Sequence, residues 1–202
     1  MKKHLDLIAG AFVAVLILSN IASSKIIGIG PINFDGGTIL FPLAYIFGDI
    51  LTEVYGFKTA KRIIWLGFAS NILMVLVFLT VGALPAASGW NLQDSYNNIL
   101  GFVPRIVLGS LCAYLVGEFL NAWTFNKIKA KTGEKKFYLR ALGSTLIGEF
   151  FDTTIFLLIA FGGILPWPLF FSVWLTNYIF KNLVEVFCLP FTYRLVAKLK
   201  AE

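Results

Sequence analysis

Histidine occurs once and cysteine twice in these 202 residues, so the side chains that most often bind metals or act as nucleophiles are nearly missing. His4 lies in a basic N-terminal tail without a companion ligand, which excludes histidine metal chemistry. Cys112 and Cys188 sit inside apolar runs, at no metal or redox spacing, and read as buried thiols acting as small hydrophobes. The chain also lacks a nucleophile–histidine pair, a Gly-rich phosphate loop and an ATP-binding motif. Charge is scarce: Asp, Glu, Lys and Arg make up 14% of residues, against about 25% in soluble domains. Apolar residues replace it, at 58%, where soluble proteins have about 45–50%. An ordinary soluble domain is excluded.

The apolar residues fall into runs that each match a bilayer core about 30 Å thick. Spans are expected over 5–24, 38–55, 61–83, 105–125, 139–162 and 169–193. All should be helical, because unpaired backbone cannot face lipid. The start, Met1-Lys2-Lys3-His4 before an apolar run, resembles a signal peptide, but further spans follow and an uncleaved first helix is expected. The fold class is therefore an all-α integral membrane protein of six transmembrane helices, with residues 1–202 as a single transmembrane domain. The bilayer is its first partner.

A net charge of +6 can signal nucleic acid, but here the cations fall where a membrane topology puts them. All but three of the 17 lysines and arginines lie in the N-terminal tail, the 56–62 turn, the 126–140 loop and the C-terminal segment. The 25–37, 84–104 and 163–168 connections hold almost none. By the positive-inside rule both termini are cytoplasmic, and no nucleic-acid partner is expected. Pro42 and Pro104 fall in first helical turns, where a missing N–H costs little. Pro166 and Pro168 punctuate the last outer turn, and Pro190 falls inside the sixth span as a kink.

The three exceptions are Lys25, Arg105 and Lys181. The first two can snorkel from outer helix ends. Lys181 is near the middle of its span, where a lysine is costly and faces a partner or a water-filled cavity. Counting about 1.5 Å per residue puts Asp49, Asn71, Glu118, Glu149, Asp152 and Lys181 at similar depth. Glu53, Asn121 and Glu185 follow about one turn towards the cytoplasm. Asp49 with Glu53 and Lys181 with Glu185 share helical faces, and Asn177 extends the Lys181 face outward. One such residue can be mere interhelical glue. Four mid-membrane carboxylates around one lysine cannot all be charged without a bound cation, and a central polar cavity is the natural expectation.

Small residues recur at Gly109, Ala113 and Gly117 and again at Ser144 and Gly148, marking faces for close helix packing. An internal echo accompanies them. Gly117-Glu118-Phe119-Leu120-Asn121 in the fourth span matches Gly148-Glu149-Phe150-Phe151-Asp152 in the fifth, each preceded by Leu-Gly-Ser. Transporters commonly build sites between repeated elements.

These segments resemble the queuosine-precursor transporter family of the vitamin-uptake group. The likeness rests on Phe41-Pro42, Asp49 with Glu53-Val54-Tyr55-Gly56, Arg105, Ser144-Thr145-Leu146, Asp152-Thr153, Tyr178 to Lys181, and Asn20 after Ser19. The family often has glutamine where this chain has Glu118 and Glu149, and aspartate at Asn121, which favours Asp49, Asp152 and Lys181 as the working groups. The resemblance implies import of 7-cyano-7-deazaguanine and 7-aminomethyl-7-deazaguanine through a bacterial inner (cytoplasmic) membrane, for salvage into tRNA queuosine. No cofactor is implied. Carboxylates can accept the N–H edge of such a base, Lys181, Asn20 or Arg105 can donate to its carbonyl, and Tyr178, Trp123 or Trp174 can stack on it. The candidate substrate-binding residues are Asn20, Asp49, Arg105, Glu118, Asn121, Glu149, Asp152, Asn177, Tyr178 and Lys181. Two readings compete: a substrate-capture subunit of an energy-coupling-factor importer, and an intramembrane enzyme using paired acids such as Asp49 and Asp152. A homodimer or an ATPase module is left open.

Overall fold

In the computed structural model, residues 4–132 and 137–201 are described. The tail Met1-Lys2-Lys3 and the middle of the basic 126–140 loop lie outside them. The elements in order are α1 (Leu5–Ala22), strands β1 (Ile26–Ile29) and β2 (Ile32–Asp35), a 3-10 turn (Gly36–Leu40), α2 (Phe41–Tyr55), α3 (Phe57–Ala83), α4 (Gln93–Leu100), α5 (Val103–Thr132), α6 (Phe137–Phe161) and α7 (Trp167–Ala201). The protein is an all-α membrane protein, with one two-stranded hairpin as its only sheet among the described residues.

Five stretches of the described residues are long and apolar enough to cross a bilayer: Leu5–Ala22, Gly36–Tyr55, Phe57–Ala83, Gln93–Lys131 and Leu142–Phe161. α7 has the length, with 35 residues, but is not among them, and Asn177, Lys181, Asn182 and Glu185 interrupt its apolar run. Burial runs opposite to that of a soluble protein. Leu73, Leu76 and Leu79 of α3 and Phe187 of α7 are exposed, whereas Asn71 and Asn177 are 2% and 1% exposed. Lipid solvates the first set, and the second finds partners inside.

The helices extend beyond the apolar runs in several places. α3 begins at Phe57, before the expected Lys61, because one residue suffices to reverse the chain: Gly56, at φ 85°, caps α2 and starts α3. Lys58, Lys61 and Arg62 thus ride on the first turns of α3. The 25–37 connection is a hairpin, with Gly30 at φ 58° in its tight turn. The 84–104 connection contains the short α4, whose Tyr96 hydroxyl donates to the Phe78 carbonyl at 3.4 Å. Pro42 stands in the first turn of α2, and Pro190 lies inside a continuous α7. Cys112 and Cys188 are free thiols, each half-buried.

The chain forms two compact units. One comprises residues 1–27, 35–107 and 183–202. Its core is Phe12 of α1, Ile50, Leu51 and Tyr55 of α2, Ala60 and Ile63 of α3, and Val196 of α7. The other comprises residues 28–34 and 108–182, with Ala113, Leu157, Ala160, Phe170 and Val173 buried in it.

Candidate functional site

The second unit holds Lys181 of α7. Lys181 is 7% exposed, and its ammonium donates to Asp152 Oδ2 and lies 3.5 Å from Glu149 Oε2. Glu149 and Asp152 are three residues apart on α6, so both acids face α7. A lysine taken out of water persists only where paired acids offset the desolvation. Here two acids meet one ammonium.

Aromatic side chains brace the same helix pair. Trp174 and Tyr178, one turn apart on α7, lie nearly parallel at 5.7 Å and 12°. Phe150 of α6 meets both edge-on, at 5.6 Å and 6.0 Å. The Trp174 Nε1–H donates to Thr154 Oγ1 at 2.9 Å, and the Tyr178 hydroxyl to the Leu146 carbonyl at 3.2 Å. Asn177 is buried on the Lys181 face of α7.

α5 and α6 cross antiparallel at backbone contact. A Cβ added at Gly117 would lie 2.9 Å from Asp152 Cβ and 3.3 Å from the Gly148 carbonyl. One added at Gly148 would lie 2.9 Å from Asn121 Cβ and 3.1 Å from the Gly117 carbonyl. One at Gly109 would lie 3.1 Å from the Phe156 carbonyl. The small-residue faces expected from sequence therefore meet each other. Beside the crossing, a cleft of about 360 Å³ opens between the helices, lined by Glu118, Asn121, Phe125, Asn126, Ser144 and Thr145. That volume is at the lower end for small-molecule sites.

The remaining candidates belong to the other unit. Asn20 of α1 donates through Nδ2 to Asn71 Oδ1 of α3 at 2.8 Å, and Asn71 donates to the Gly67 carbonyl at 2.9 Å. Half of the Asn20 amide is thus already engaged. Asp49 is half-buried on α2, and Arg105 stands in the first turn of α5. Glu149, Asp152 and Lys181 are in direct contact, and Glu118 with Asn121 share the cleft. Asn20, Asp49 and Arg105 lie outside that group.

One residue escaped the reading of the sequence. Asp35 is 3% exposed and accepts from the Ser23 hydroxyl at 2.6 Å, the Gly37 N–H at 3.0 Å and the Thr38 hydroxyl at 2.8 Å. It locks the end of the hairpin and the 3-10 turn to α1. The signal was an Asp ahead of Gly-Gly-Thr, the composition of an Asx turn. Ser144 and Thr145 were read only as packing or family residues, whereas both also line the cleft. Among the described residues no group of three or more His, Cys, Asp and Glu is arranged to hold a metal ion.

Residues 35–195 match a family described as putative vitamin uptake transporter. A probable queuosine precursor transporter of Bacillus subtilis (strain 168) is 33% identical over 161 residues, covering 78% of this chain and 69% of the relative. The queuosine precursor transporter of Escherichia coli (strain K12) is 30% identical over 159 residues, 76% of this chain and 69% of the relative. A probable queuosine precursor transporter of Haemophilus influenzae is 28% identical over 125 residues, 62% of this chain and 51% of the relative. No solved structure matches.

Proposed function

Because the chain belongs to the putative vitamin uptake transporter family, we propose that it imports the queuosine precursors 7-cyano-7-deazaguanine and 7-aminomethyl-7-deazaguanine across a bacterial cytoplasmic membrane. The family is one of transporters, not enzymes. In this proposal residues 1–202 form one transmembrane domain of six spans, α7 being the sixth, with both termini cytoplasmic.

The observation that carries the reading is Lys181, buried against Asp152 and Glu149 within helices of a membrane protein. Packing alone is served by neutral side chains, and charges persist at such depth where a polar ligand must pass. A deazaguanine offers adjacent N–H donors, which a carboxylate accepts as a pair, and a carbonyl, which accepts from an ammonium. Asp152, Glu149 and Lys181 supply both kinds of partner, and Tyr178 with Trp174 supplies a flat face beside them. The proposed binding set further includes Glu118, Asn121 and Asn177, together with Asn20, Asp49 and Arg105. Without an ATP motif, the drive is the substrate gradient, metabolic trapping, an ion gradient or a partner.

The test is uptake of both labelled precursors in cells unable to make queuosine, read as tRNA queuosine at low external precursor. The chain should restore the modification, and Asp152→Ala or Lys181→Ala should abolish it while membrane insertion persists. Normal uptake by both variants overturns the site assignment.

A second reading keeps the substrate and changes the machine. Gly10 and Ala14 are exposed on one face of α1, and a Cβ at Gly10 meets nothing within 4 Å. Such a small-residue face suits a helical partner, as a substrate-capture subunit of an energy-coupling-factor importer needs. Uptake by the purified chain alone in liposomes refutes it.

A further inference from the structure

The two echoed phrases, Gly117 to Asn121 and Gly148 to Asp152, pack reciprocally. Asp152, the last residue of one phrase, sits over Gly117, the first of the other, and Asn121 sits over Gly148; a Cβ added at either glycine would lie 2.9 Å from the facing Cβ. A local two-fold relation follows, in which Glu149 with Asp152 corresponds to Glu118 with Asn121. The two halves differ in what fills them. The Glu149–Asp152 half receives the Lys181 ammonium. The Glu118–Asn121 half opens on the cleft. The ion pairs of Lys181 run to Glu149 and Asp152 on the far side of that relation.

The geometry points to Glu118 as the specificity residue of an ammonium subsite, in which the cleft takes the protonated amine arm of a planar ligand at the place equivalent to the Lys181 ammonium. Glu149 and Asp152 share the Lys181 ammonium, and an ammonium on the ligand would neutralise Glu118 where a neutral ligand cannot. The Asn121 carbonyl and the Ser144 and Thr145 hydroxyls can accept the remaining N–H groups. Phe125 adds a ring face, which favours a cation. The subsite rests on the transport reading for the ligand it names: of the two proposed precursors, which differ at the 7-substituent, the aminomethyl compound carries the ammonium and the cyano compound is neutral.

Two measurements test this. The first compares uptake of the two precursors by the full chain and by Glu118→Gln, which keeps size and hydrogen bonding and removes the charge. The ratio of aminomethyl to cyano uptake should fall by about tenfold or more, the usual worth of one charge-assisted hydrogen bond. An unchanged ratio overturns the inference. The second is independent of transport and of how well the variant folds. Thermal stabilisation of the purified wild-type chain is compared between amine and nitrile members of two pairs: the precursors, and benzylamine with benzonitrile. The amine should stabilise more in any pair that binds. No amine preference in either pair overturns the subsite, even if the chain imports both precursors. A preference for benzylamine with no binding of either deazaguanine upholds the subsite and overturns the substrate proposed above.

Discussion

Gly117→Ala places a methyl carbon 2.9 Å from Asp152 Cβ and 3.3 Å from the Gly148 carbonyl oxygen. Unstrained carbon contacts lie at about 3.5–4.0 Å, so α5 and α6 must separate by roughly 0.6–1 Å, the difference between those figures. The first obstacle is a Cβ anchored to its backbone and the second is backbone itself, so no flexible side chain can swing aside. Overpacking of this kind costs about 1–3 kcal/mol. Removing a helical glycine returns roughly 0.5–1 kcal/mol through lost backbone entropy, which leaves a net destabilisation of about 0–2.5 kcal/mol. Gly48→Ala is the matched control, because it is also helical and its Cβ meets nothing within 4 Å. It should stabilise by the full glycine term. The assay is thermal unfolding of the purified protein in one detergent, where the gap between the two variants should be several degrees. Gly148→Ala should match Gly117→Ala, and the double variant should cost less than the sum, since one opened crossing admits both methyls. Uptake by Gly117→Ala should also fall, as Asp152 moves away from Lys181. If Gly117→Ala and Gly148→Ala both stabilise as Gly48→Ala does, the close crossing is wrong.

Two further outcomes follow from the other unit. Asn20→Ala strips Asn71 Oδ1 of its donor at a site 2% exposed and should cost about 1–3 kcal/mol. In thermal melts the Asn20→Ala/Asn71→Ala pair should be less destabilised than the summed single variants, and strict additivity refutes the pairing. Asp35→Ala removes the acceptor of three hydrogen bonds and should lose roughly 2–4 kcal/mol, beyond the range of a lone helix cap. Ser23→Ala should lose about 1 kcal/mol, and equal melting temperatures for the two variants contradict a lock centred on Asp35.

Much of the fold was legible because lipid imposes a simple demand. Runs of about 20 apolar residues must become helices, and α1, α2, α3, α5 and α6 lie where those runs predict. Lys181 was legible as a cation needing a partner for a related reason, since a lone cation in an apolar run has few explanations, and it is buried against two acids. The ends of elements were less legible. Gly56 reverses the chain in one residue, and α5 runs on to Thr132 past its apolar segment, because hydrogen bonding and not hydropathy decides where a helix stops. The 25–37 connection stands in the sequence only as a link between two spans, yet it folds as a hairpin tied down by a buried acid. Its short strands lack a hydrophobic period long enough to announce them.

Composition and local pattern alone determined that this is a membrane protein, which segments are helical, that acids and one lysine share the apolar spans, and that a five-residue phrase recurs. Each of these depends on a residue and its neighbours along the chain. Which acids hold Lys181, that Asn20 spends its amide on Asn71, and that the echoed phrases interlock glycine against acid or amide were decided by tertiary structure. Those are pairings between residues 27 to 51 positions apart and on separate helices, and rotation of one helix about its axis would exchange every partner without altering the sequence. The three-dimensional packing fixes that rotation, and with it a lysine-filled half and an open half of one repeated site.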